Sequence, residues 1–102
     1  MLMTKRKPAS VGEILTEEFM IPMGLTQTAL AEAMGVQRKH VNELCNRRRG
    51  VTASSALILA RVFGNTPGFW LNVQLRGDLW KAMHSPRERK RIARAKPLHK
   101  AA

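Results

Sequence analysis

The stretch QTALAEAMGVQRKHVNELCN, residues 27–46, decides the fold. Leu30, Ala31 and Met34 fall on one face of a first helix, for which Thr26 is the N-cap candidate. Val41, Leu44 and Cys45 fall on one face of a second, running from about Gln37 to Asn46. Between them Gly35 supplies the left-handed backbone that a tight turn between steeply crossing helices needs. Gln27, Ala31, Gly35, Val41 and Leu44 stand at relative positions 1, 5, 9, 15 and 18. Each residue type has a reason to be there. Ala31 is small because the second helix crosses close above it, and Val41 and Leu44, three apart, lock that helix against the first. The weak point is Gln37, an N-cap where Ser or Thr is preferred.

Outward from this pair the chain predicts three more helices. Ser10 with Glu13 is a capping box, followed by Val11, Ile14, Leu15 and Phe19 at helical spacing, with a stop expected before Pro22-Met23-Gly24. Thr52 can cap a fourth helix whose apolar stripe reads Ala53, Ala56, Leu57, Ala60 and Phe63, ended by Gly64. Thr66-Pro67 starts a fifth that reaches about Met83, since proline at the first helical position lacks only an N–H with no intrahelical partner. Neither a strand alternation nor an internal repeat appears. The expected class is all-α with five helices, divided as a basic N-terminal arm (1–8), a helical body (9–84) and a basic C-terminal tail (85–102).

Charge narrows the function. The 102 residues carry a net charge of +11, concentrated at the ends: the body holds 8 basic against 6 acidic residues, while the tail holds 7 against 1. Such a balance favours a polyanion. On the outer face of the second motif helix, Arg38, Lys39 and Asn42 lie near its N-terminus, where base edges would be read. Arginine can grip guanine through two hydrogen bonds, and asparagine can do so to adenine. Gln27 is placed for a phosphate, Arg47, Arg48 and Arg49 would lie along the backbone, and His40 and Asn46 are further phosphate candidates. Two crossing helices with a basic outer face therefore read as a helix-turn-helix for double-stranded DNA. The competing reading is an interaction module whose basic surface neutralises an acidic protein.

Other chemistry is disfavoured. A single cysteine, Cys45, allows neither an internal disulfide nor a multi-cysteine zinc site, and it faces inward with Val41 and Leu44. His40, His84 and His99 lack metal spacing, and adjacent Glu17 and Glu18 point about 100° apart on a helix, so they are no acid–base pair. No enzyme activity, metal or cofactor is expected. Nor is a membrane span, because no apolar run approaches the ~20 residues required. A cytoplasmic protein is expected. The tail starts with Ser85-Pro86 and Glu88, a signal for a short helix ending before Pro97, yet it is too polar to be stable alone. Two readings stay open for it: an arm that meets DNA or a partner, or a solubilising tail.

The fifth helix carries two apolar stripes. Phe69, Trp70, Val73, Trp80 and Met83 can cover the core, while Leu71, Leu75 and Leu79 form a second row at i, i+4 and i+8. That second row suits a homodimer, which would set two reading helices one DNA turn (~34 Å) apart on a palindrome.

Across residues 8–81 the chain resembles the Xre/Cro-type helix-turn-helix proteins and, more narrowly, the HigA antitoxins, also called virulence-associated protein I. The marks are PASVGEILTEEFM, then NRRRGVT after the second motif helix, then NTPGFWLNVQ followed by DLW. The resemblance implies a lambda-repressor-like fold. It also implies a dimeric repressor of its own operon that neutralises a small mRNA endonuclease, a HigB-like toxin. Some members of the family act without a toxin, so a solitary transcriptional regulator is the alternative. The tail after Met83 lies outside the resemblance.

Overall fold

The computed structural model describes residues 6–98, and within them every regular element is a helix. We number these α1 (11–23), α2 (Gln27–Met34), α3 (Arg38–Cys45), α4 (Ala53–Phe63), α5 (Pro67–His84) and α6 (Pro86–Arg94). The five expected helices are present, and the tail adds a sixth.

Helix α1 begins as the capping box requires: Ser10 Oγ accepts from the Glu13 N–H at 3.1 Å, and Glu13 Oε1 accepts from the Ser10 N–H at 3.4 Å. Contrary to expectation it does not stop before Pro22. Its middle, Leu15–Met20, is wound as a π-helix, and the Ile21 N–H donates to the Thr16 carbonyl five residues back. A proline inside a regular turn collides with the carbonyl four residues earlier. The wider winding relieves that conflict and carries the helix to Met23, where Gly24 adopts φ +60°.

The core is built from α1 to α5. Val11, Leu15 and Met20 of α1 meet Leu30, Ala31 and Met34 of α2, Val41 and Leu44 of α3, Ala56, Leu59 and Ala60 of α4, and Trp70 of α5. Trp70 is fully enclosed and its indole N–H donates to Asn65 Oδ1 at 2.9 Å. Phe19, Phe63 and Phe69 surround it with ring centroids 5.1–5.8 Å away.

Two expected stripes need correction. On α4, Ala53 and Leu57 face solvent, Leu57 being 60 % exposed, and Ser55 and Leu59 are buried instead. The helix ASSALILARVF is apolar almost all round, so periodicity does not choose its inner face. Packing against α2 and α5 does, and buried Ser55 is satisfied through its bonds to Thr52. On α5, Trp70 and Val73 join the core, whereas Phe69 and Met83 are exposed. Met83 lies in the last turn of α5, beyond the core. Helix α6 starts at Ser85, whose Oγ accepts from the Glu88 N–H at 3.3 Å, and its packing contacts are with α5. The chain is accordingly elongated, with a Cα radius of gyration of 16.6 Å where ~13 Å is typical at this length.

Candidate nucleic-acid interface

The motif pair is held as its spacing demands. Gly35 closes the turn at φ +71°, its N–H donating to Glu32 O and the Val36 N–H to Ala31 O. Beyond the turn Gln37 gives α3 no side-chain cap. Val41 and Leu44 are almost wholly buried and fix the rotation of α3 about its axis. That rotation leaves Arg38 and Lys39 exposed and Asn42 half-buried on the outer side.

Asn42 is not isolated. Its Nδ2 donates to Gln27 Oε1 at 3.2 Å, so one amide orients the other. The pair keeps the Gln27 NH2 group and the Asn42 Oδ1 free of each other, and the second Nδ2 proton of Asn42 remains available. Asn46 turns back to the helix, its Nδ2 donating to Asn42 O at 2.9 Å. His40 is half-buried, and its Nε2 is enclosed without a hydrogen-bond partner. Burial, then the charge of Arg49, lowers its pKa, against a smaller opposing pull from Glu43.

The three arginines behave differently. Arg49 bonds Glu43 Oε1 through Nε at 3.1 Å and Nη2 at 2.9 Å, which holds the Glu43 carboxyl below its ordinary range. Arg47 lies 3.7 Å from Glu13, at the start of α1. Arg48 has no acidic partner among the described residues. The backbone of this segment is also unusual. The Arg48 N–H reaches Glu43 O at 2.8 Å and the Arg47 N–H reaches Leu44 O at 3.3 Å, the bonding of a Schellman end. Arg47 takes the left-handed position of that motif at φ +60°, where α1, α2 and α4 each use glycine.

Two supports were not anticipated from sequence. A Cβ on Gly12 would stand 2.5 Å from Leu44 O and 2.6 Å from Cys45 O, so the first turn of α1 presses directly on the last turn of α3. Gln74 of α5 accepts from the Val51 N–H at 3.0 Å and donates to Asp78 Oδ1 at 3.0 Å, pinning the loop that follows α3. Gln74 stands inside the NTPGFWLNVQ run, but a polar side chain reaching a backbone 23 residues away has no periodic signature.

The arrangement offers a row of donors and one amide acceptor outward from a rigid helix, flanked by a cationic loop. That chemistry matches base edges within a phosphate-lined groove. Cys45 contacts Met20 Sδ through its Sγ at 3.8 Å, and no cluster of metal-ligating side chains occurs among the described residues. No described helix is long and apolar enough to cross a membrane.

Comparison with known proteins bears on the family and on the fold that carries this site. The helix-turn-helix family model matches residues 17–71. The chain is 52 % identical to antitoxin HigA-1 of Vibrio cholerae serotype O1 over 96 residues, spanning 93 % of this chain and 88 % of that one. Among solved structures, antitoxin GraA in complex with its operator superposes with a TM-score of 0.83 at 37 % identity, covering 98 % of this chain and all of that one. Pseudomonas aeruginosa antitoxin HigA with higBA promoter superposes with a TM-score of 0.79 at 33 % identity, covering 90 % and 99 %.

Proposed function

Because the chain belongs to the helix-turn-helix family of HigA-type antitoxins, we propose that it represses its own operon by binding a palindromic operator as a homodimer and neutralises a HigB-like endonuclease toxin. It is a regulator and not an enzyme, and its work on operator DNA is done in the cytoplasm. One observation carries the reading. Burial of Val41 and Leu44 leaves α3 a single orientation, with Arg38, Lys39 and the Gln27-oriented Asn42 turned outward together.

In this reading Arg38, Lys39 and Asn42 read bases. Gln27, Asn46, Arg47, Arg48 and Arg49 hold phosphates, and His40 contributes least because its Nε2 is enclosed. Leu71, Leu75 and Leu79, exposed at 38, 48 and 39 %, form the dimer face. The related structures bound to an operator or promoter support the DNA partner.

The test is binding to duplex from upstream of the chain's own coding sequence, compared with random duplex. Arg38→Ala should lower operator affinity by ~1–3 kcal/mol and relax preference at one base pair. An equal loss on both duplexes would remove the base-reading role.

A further inference from the structure

We propose that helix α6 is a second DNA-contacting element, one that tracks the phosphate backbone beside the operator half-site without reading sequence. The inference rests on the operator-binding reading and extends its footprint.

Three observations carry it. The first is segregation of charge. At about 100° per residue, Arg87, Lys90, Arg91 and Arg94 fall within a ~100° arc at i, i+3, i+4 and i+7, while Glu88 and Ile92 lie outside it. The stripe is ~10 Å long, and its i, i+4 members are ~6 Å apart along the axis. Along the duplex axis each strand sets a phosphate every ~3.4 Å, so the stripe is long enough to span more than one phosphate. All four cations are exposed. Arg91 alone is paired, to Glu88 Oε2 at 3.1 Å with the arginine side chain 69 % exposed.

The second observation is order. A polar helix of nine residues has little reason to form alone, yet α6 has a serine cap, Pro86 at its start and Arg91 and Arg94 in its last turn. A merely solubilising tail needs none of these.

The third is continuity. Lys81, one turn before the end of α5, lines the same cleft as Lys7, Arg47, Arg48 and Arg49. Helix α6 begins five residues after Lys81 and packs on α5, so its basic stripe follows in the chain directly on the helix that lines this cleft. Asp78 is the lone acid in that cleft, and it is already engaged by Gln74 Nε2.

The experiment is a salt titration of full-length protein, by fluorescence anisotropy, on the upstream duplex and a random duplex of equal length. The variant Arg87→Gln/Lys90→Gln/Arg91→Gln/Arg94→Gln should lose at least about tenfold in affinity on both duplexes, and the slope of log K against log salt should fall by about 3 to 4 for each bound protomer, about 7 for the dimer. Arg89→Gln, on the other side of the helix, should leave the slope within about 0.5 of the parent, and circular dichroism on every variant should show an unchanged thermal transition. An unchanged slope in the quadruple variant, with Arg38→Ala still losing base preference, overturns the inference and leaves the operator reading intact. Parent protein that prefers no duplex sinks both. Stripe-dependent binding to phosphatidylglycerol vesicles, with DNA affinity unaffected, would overturn it in favour of a membrane surface.

Discussion

Arg47 holds a conformation that L-residues avoid, at the end of α3, the recognition helix of the proposed reading. A left-handed non-glycine residue costs about 1–2 kcal/mol, and the 3.7 Å contact with Glu13 is too exposed to repay it. In the phosphate-binding role proposed for Arg47, a glycine would surrender a cation at the end of α3. Arg47→Gly should therefore raise unfolding stability by about 0.5–1 kcal/mol in urea titrations while weakening operator binding; a variant neither more stable nor weaker in binding would contradict this. His40 supplies a pH test. Burial lowers its pKa, so the neutral ring is the native form. Its share of stability is intact above the free-imidazole value of about 6.5 and is lost as pH falls toward the native pKa, because the unfolded chain takes up the proton first. Between pH 7 and 5.5 the melting temperature of the parent should drop more than that of His40→Gln, measured by calorimetry.

Among the elements, α1 and α3 are joined by the contact at Gly12. Its missing side chain lets the first turn of α1 sit on the Leu44 and Cys45 carbonyls, and neither backbone can yield without moving the recognition helix. Gly12→Ala should cost about 1–3 kcal/mol, read by chemical denaturation, and should also reduce operator affinity although no DNA contact is lost. A stable variant with normal binding would show that the two helices can separate harmlessly. The elements also show what one-dimensional pattern can carry. The α2–turn–α3 unit was legible because Ala31, Gly35, Val41 and Leu44 each answer a local requirement of size, backbone sign or period. The inner face of α4 was legible only in part: Ala56 and Ala60 are buried as expected, but the sequence offers two apolar arcs and only the neighbours select Leu59 over Leu57. The passage of α1 through Pro22 was also hidden, since it depends on a wider winding that no residue type announces.

For the whole molecule, the row Leu71, Leu75 and Leu79 stands exposed on α5 while the core is closed without it. Burial of such a row against a second copy is worth about 25 cal/mol per Å2 of apolar surface, and a charge in its centre would cancel that. Leu75→Glu should shift the protein from dimer to monomer in light scattering and weaken operator binding by more than tenfold, as expected when two half-sites are no longer read together. Retained dimers would move the interface elsewhere.

Composition and spacing alone determined the helical class, the turn at Gly35, the burial of Val41 and Leu44 and hence the outward set of Arg38, Lys39 and Asn42, because those features are local or periodic. Tertiary structure decided the rest: the amide bond from Asn42 to Gln27, the seat of Gly12 under α3, the grip of Gln74 on the Val51 N–H and the left-handed turn at Arg47. The first three join residues between 15 and 33 positions apart, and at Arg47 only the bonds that close the helix end reveal the backbone sign. Pattern along one helix is silent about both.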